Sequence, residues 1–249
     1  MNIRVAARLP HTVPKLFKAL HKAASRDTVH RDLRALLRET AQPVAVVTSL
    51  MPPSHISSSS PHSRFHGATL SSFTSIAMDP HPLVAFSLRI PSRMATTLRN
   101  AHATPHDWPA ATHLVVNILS AAQARVAVQF SRVDRYPRPF EEVPYTLSEE
   151  GLPVLEGALG ALSCNLVASS WPLHDLDSLR NRARETDAAW EGDGVASELF
   201  IAEVTRVEAV KYPEEDDESL RTPLIYHRRA YATTCDIPTP SDLQSGKPK

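Results

Sequence analysis

Residues 67–77, GATLSSFTSIA, carry hydroxyls at Thr69, Ser71, Ser72 and Thr74. A hydroxyl donates one hydrogen bond and accepts two, so such a run can form a mixed array of donors and acceptors. On a strand, Thr69 and Ser71 would share one face, with Leu70 and Ser72 on the other. An edge facing solvent would explain a single serine. Here Phe73 and Ile76 lie in the same run, and an apolar strand, PLVAFSLRI (82–90), follows. A buried hydroxyl without a partner costs about 1–3 kcal/mol. A flat heteroaromatic ring with a polar rim would supply partners, and the isoalloxazine ring, whose rim alternates donors and acceptors, is such a ring. Ser92 then opens a helix whose free N–H groups and dipole favour an anion. Arg89 and Arg93 flank that point and can neutralise a phosphate. One strand-to-helix unit can thus hold both ends of FMN. No arrangement of acid, base and nucleophile stands out, and chemistry carried by a flavin needs none.

The elements that must position these residues are mostly strands. Residues 28–41 place Val29, Leu33, Leu36 and Leu37 at helical spacing, and Pro43 ends that pattern. VAVVTSL (44–50) reads as a buried strand. Residues 51–66, rich in serine, proline and histidine, read as an insertion in a hairpin loop. Its His55, His62 and His66 have neither regular spacing nor a nearby carboxylate, so no metal site is assigned. Gly67 to Ala77 reads as extended. SRMATTLRN (92–100) is a helix capped by Ser92, and residues 101–112 are a loop. HLVVNILS (113–120) is a strand leading into a helix, with Ser120 and Gln123 forming a capping box. A strand from about Ala158 alternates Leu162, Cys164, Leu166 and Ala168 with Ser163 and Asn165. ELFIAEVTRVEAV (198–210) is another strand, and PLIYHRRAYATT (223–234) adds one last strand. Asp134, Arg135 and Tyr136 read as surface loop, whereas the sequence leaves the orientation of His227, Arg228 and Arg229 open. Six or seven strands without βα alternation predict a mainly β fold, an antiparallel barrel with peripheral helices. The chain has no G-x-G-x-x-G, no P-loop and only seven glycines.

The 249 residues suit one large domain with extensions, and 27 acidic residues balance 27 basic ones. Such a balance points away from a nucleic-acid polymer as partner. The two cysteines, Cys164 and Cys235, have no metal-ligand spacing and suggest no disulfide framework. No apolar run is long enough to span a bilayer. Residues 1–27 form a basic extension whose first acid is Asp27, the composition of a mitochondrial presequence, so a mitochondrial location is expected, with the cytoplasm as the other possibility. The domain then spans 28–234, with insertions near 51–66 and 170–197, and residues 235–249 form a disordered tail.

Three segments together resemble the flavin reductase-like family, whose fold is the FMN-binding split barrel. They are GATLSSFTSIAMDPHPLVAFSLR (67–89), LVVNILSAAQARVAVQFS (114–131) and GLPVLEGALGALSC (151–164). The resemblance implies that Thr69, Leu70, Ser71 and Ser72 lie at the flavin ring. It places Ser87, Leu88 and Arg89 beside the ribityl chain, and Ser92 and Arg93 at the phosphate. It also implies a homodimer, FMN or FAD as cofactor, and NADH or NADPH as hydride donor. The family's S-x-T at the phosphate helix is altered here, because Met94 holds the third position. Its Gly-Asp-His is altered too, since Gly194 follows Gly192-Asp193. The leading expectation is an FMN-binding oxidoreductase that transfers hydride to flavin. The alternatives are a flavin-binding carrier or interaction protein without nicotinamide-dependent activity, and a β-barrel interaction module that binds no flavin.

Overall fold

The computed structural model describes residues 26–51, 61–103, 113–168, 170–181, 196–212 and 217–237. The extension up to residue 25, the centre of the first insertion, half of the second with its Gly192-Asp193-Gly194, and the tail from 238 lie outside these residues. The chain divides into two units, Met1–Thr40 and Ala41–Lys249. In the first unit, helix α1 (Arg26–Arg38) forms where the apolar spacing predicts it, with Asp27 in its first turn and Arg38 in its last. Both charges suit the helix dipole. Val29, Leu33, Leu36 and Leu37 form an exposed apolar stripe on it.

The second unit begins with β1 (Gln42–Pro43), β2 (Ala45–Leu50), β3 (Phe65–Leu70), β4 (Thr74–Ala77) and β5 (Leu83–Ile90). Helix α2 (Arg93–Ala103) follows, then β6 (His113–Ile118) and helix α3 (Ala124–Ser131). The remaining elements are β7 (Tyr145–Leu147), β8 (Pro153–Leu155), β9 (Gly160–Leu166), β10 (Trp171–Pro172), helix α4 (Leu176–Asn181), β11 (Ala196–Glu208), β12 (Ile225–His227) and β13 (Ala230–Ala232). The main sheet runs β3-β2-β6-β9-β11-β5-β4, with β10 also on β11, and every pairing in it is antiparallel. Its two end strands, β3 and β4, are joined through residues 71–73, so the sheet curls until β3 comes near β5. The result is a near-closed half-barrel with helices at its periphery, the mainly β fold that the strand count predicts.

Two apolar clusters explain why β2 reads as a continuous apolar run. Ala45 and Val47 face the barrel interior, where Phe86 and Phe200 stack at 5.6 Å and α2 inserts Met94, Ala95 and Leu98. Val44, just before β2, and Val46 face the opposite cluster, where Phe130 of α3 meets Phe140. A strand covered on both faces loses polar alternation. The few polar groups buried beside it are paired. Asn117 donates to Val46 O at 3.2 Å and accepts from Leu155 N–H at 2.8 Å, and Thr48 donates to Pro153 O at 2.7 Å.

Three expectations need correction. Gly67 to Ala77 is not one extended segment: it breaks at residues 71–73, so the alternation of Thr69 and Ser71 does not persist through the break. The loop predicted from residue 101 begins later, because α2 continues to Ala103. The single last strand is two, β12 and β13, folded on each other. Cys164 is buried, Cys235 exposed, and both are free thiols.

Candidate functional site

The break at residues 71–73 creates the site. β4 pairs with β5 only at Leu83, Val84 and Ala85, leaving the rest of that edge of β5 without a strand partner. β3 pairs with β2 alone, so its other edge is open too. Between these edges lies a cleft of about 520 Å³. Thr69, Leu70, Ser71, Ser72, Ser87, Leu88, Arg89 and Ser92 all line it. Arg93 is the one predicted site residue that the structure does not bring there. Its side chain lines a separate cavity of about 160 Å³, together with His62, His66 and Arg138.

The hydroxyls differ in what they do. Ser72 acts as a substitute strand partner: it donates to Ser87 O at 3.0 Å and accepts from Ser87 N–H at 2.9 Å. Thr69 donates to Ala127 O at 2.7 Å, tying β3 to α3. Ser92 accepts from Ala95 N–H at 3.1 Å, the cap predicted for this helix. Ser71 is exposed, and its hydroxyl makes no hydrogen bond among the described residues, which leaves it available to a ligand. Arg89 is exposed at the cleft and sits opposite Ser197 of β11 in the strand register.

The capping box also forms. Gln123 accepts from Ser120 N–H at 3.2 Å, while the Ser120 hydroxyl donates to Gly157 O at 2.7 Å. It turns the chain from β6 into α3, and α3 delivers Phe130 and Ser131 to the cleft. Gly67 permits that delivery, because a Cβ there would lie 2.5 Å from the Phe130 ring.

The opposite wall was not anticipated. Tyr226 and Tyr231 face each other across the β12–β13 hairpin, with ring centroids 5.6 Å apart, and both line the cleft. Tyr231 is hydrogen-bonded to Ser131, and burial, with Tyr226 beside it, raises its pKa. The signal available in the sequence was the Tyr-His-Arg-Arg-Ala-Tyr spacing, which pairs two tyrosines if the arginines form a two-residue turn. Asp134 and Arg135 are exposed, as their reading as surface loop expects, and Asp134 pairs with Arg132 at 2.8 Å.

In the smaller cavity, burial and, secondarily, Arg93 hold the His66 pKa down at about 4. His62 is hydrogen-bonded to Tyr145 at 2.7 Å. Met94, which replaces the third residue of the S-x-T pattern, is fully buried in the barrel core and serves packing.

The near-closed antiparallel half-barrel with peripheral helices matches the split-barrel architecture. Residues 37–234 match the flavin reductase-like domain, and the chain belongs to that family. It is 32% identical over 136 residues to a flavin reductase of Pseudomonas putida, a match covering 53% of this chain and 65% of that one. It is 31% identical over 165 residues to an NADH:FMN oxidoreductase of Rhodococcus erythropolis, covering 66% of each chain. The matched part thus spans just under two thirds of these relatives. Among solved structures, a homologue of nitrilotriacetate monooxygenase component B from Mycobacterium thermoresistibile shares the fold with a TM-score of 0.57. It is 20% identical, and the match covers 85% of this chain and 91% of that one.

Proposed function

We propose that the protein is an NAD(P)H-dependent flavin reductase that binds FMN in the cleft between β3 and β5. The observation that carries this reading is the open-edged slot lined by Ser71, Ser72, Ser87 and Arg89. Its volume lies within the range of about 300–1,000 Å³ usual for small-molecule sites. When bound, a flavin supplies hydride acceptance and onward electron transfer. The chain's own residues bind and orient. Alternate backbone groups along the open edges of β3 and β5 meet the polar rim of the ring, and Ser71 adds a donor. Phe130 shields the apolar part. Arg89 and the first turn of α2, at Ser92, attract the anionic tail. The relatives named for NADH and FMN support this choice of cofactors. Binding as FAD leaves the same ring contacts in place.

The test is direct. Protein purified with FMN and made anaerobic is mixed with NADH, then with NADPH, while the visible flavin absorbance is followed. Bleaching within the mixing experiment supports a reductase. A bound flavin that stays oxidised supports a carrier, a reading favoured by one observation: no histidine is among the described residues that line the cleft. Protein that takes up no flavin overturns both readings. Family members are commonly homodimers, so sedimentation of the flavin-loaded protein is expected to give twice the mass of one 27.4 kDa chain.

A further inference from the structure

The β12–β13 hairpin is built in an unusual way. Its turn consists of Arg228 and Arg229 with φ of 50° and 66°, between the paired residues His227 and Ala230. A two-residue turn with both φ positive normally takes Asn-Gly, because L side chains are disfavoured there. Backbone held in such a conformation persists only where the surroundings enforce it, and it clusters at ligand sites. Here the base of the hairpin is firmly held: β12 pairs with β1, Leu224 N–H donates to Leu119 O at 2.9 Å, and Thr233 donates to Pro223 O at 3.0 Å. The tip is exposed, and Arg229 forms no ion pair among the described residues.

Next to the tip, one residue pair nearer the base, stand Tyr226 and Tyr231, which line the cleft. An aromatic pair followed within two positions by two guanidiniums matches a ligand with a planar ring and phosphates, that is, a nucleotide. The far wall already carries what a flavin needs, including the cation Arg89.

We propose that this hairpin is the recognition arm for the hydride-donating nicotinamide nucleotide, the Tyr226–Tyr231 pair facing a planar ring and the Arg228–Arg229 turn receiving phosphate. The proposal rests on the reading of the cleft as a flavin site.

The test replaces the turn by the residues its geometry prefers, R228N/R229G, in the full chain. Binding of NAD⁺ and NADP⁺ is measured by calorimetry, with saturating FMN and without it, and FMN binding is measured separately by fluorescence. Relief of the two left-handed positions raises the melting temperature by roughly 4 °C or more, so any loss of binding is not loss of folding. Nucleotide affinity falls by about tenfold or more, as expected for lost charge-assisted contacts, while FMN affinity stays within about twofold because the cleft wall is intact. A fall for NADP⁺ alone assigns the arginines to the 2′-phosphate, and a fall for both nucleotides assigns them to the pyrophosphate. R228N/R229K keeps part of the affinity that R228N/R229G loses, because one charge remains in the turn. Unchanged nucleotide affinity in R228N/R229G, or a wild-type protein that binds neither nucleotide in either state, overturns the proposal. If FMN fails to bind while the nucleotide arm responds, the flavin reading falls and the hairpin stands as a nucleotide site.

Discussion

Two adjacent serines make the clearest test at the scale of single residues. Ser72 bonds both backbone groups of Ser87, whereas the Ser71 hydroxyl bonds nothing among the described residues. Ser72→Ala is therefore expected to lower stability by about 0.5–1.5 kcal/mol in chemical denaturation. Ser71→Ala is expected to leave stability within about 0.5 kcal/mol, yet to weaken FMN binding by about 1 kcal/mol, roughly fivefold. A reversed pattern would remove Ser71 from the site. Gly67→Ala presses on the Phe130 ring, which is held against Phe140 at 5.0 Å, so an overpacking cost of about 1–3 kcal/mol is expected, again read by denaturation. His66 gives a pH signature. Its pKa in the fold is about 4 against an ordinary 6.5, so the unfolded chain binds a proton first as pH falls. Stability from keeping this ring neutral is complete above about pH 6.5 and is lost between there and about 4. In His66→Gln, denaturation curves across that window lose this part of their pH dependence. Residue types alone showed that a polar patch had to be explained, but not that Ser72 would spend its hydroxyl on a strand edge. That role exists only because β4 stops short of Ser87.

Elements show the same division between what sequence patterns specify and what tertiary context decides. The helical spacing of α1, the α2 start, the capping box before α3 and the buried β2 run were all legible, because caps and apolar spacing act within a few residues. The break after Leu70 was not, since Ser71 and Ser72 have no strong turn chemistry and the chain bends there to cross from one sheet end to the other. Nor was the terminal hairpin, whose Arg-Arg turn lacks the usual Asn or Gly signal. The long strand β11 illustrates how one irregularity organises several elements. Its register against β9 shifts between Val204 and Arg206, and Thr205 donates to Ser163 O at 3.1 Å. Arg206 reaches the turn between β7 and β8, donating to Glu149 at 3.1 Å and Glu150 at 2.7 Å, and to Glu208 on its own strand at 2.8 Å. The Arg206 contact, ahead of all other causes, holds the Glu150 pKa at about 2 instead of 4.5. A carboxylate with a lowered folded pKa stabilises fully above its unfolded value, so this contribution is lost as pH falls from about 4.5 towards 2. Arg206→Met is expected to lower the denaturation midpoint at neutral pH, because Glu149, Glu150 and Glu208 lose their shared donor. The gap to wild type should narrow in acid. A gap independent of pH would mean that Arg206 acts through packing alone.

For the whole molecule, the barrel was legible because strand count, missing βα alternation and scarce glycine all pointed the same way, and the family resemblance agreed. What no pattern revealed is that the end of α3, Ser197 of β11 and the terminal hairpin join the β3 and β5 edges in one cleft. Such a site is formed only in the folded chain, so a flavin bound there must stabilise the fold by mass action. With FMN at one hundred times its dissociation constant, the gain is about 2.7 kcal/mol. For a domain of this size that corresponds to a rise in melting temperature of about 5–10 °C. The variants separate binding from folding in this measurement. Arg206→Met melts lower than wild type but gains the same increment on adding FMN, because Arg206 lies outside the cleft. Ser71→Ala melts like wild type but gains less at the same FMN concentration. Thermal melts of the three proteins at several FMN concentrations check both expectations together. An increment that follows the starting stability rather than the state of the cleft would show that FMN acts on the surface at large and would remove the slot between β3 and β5 as its seat.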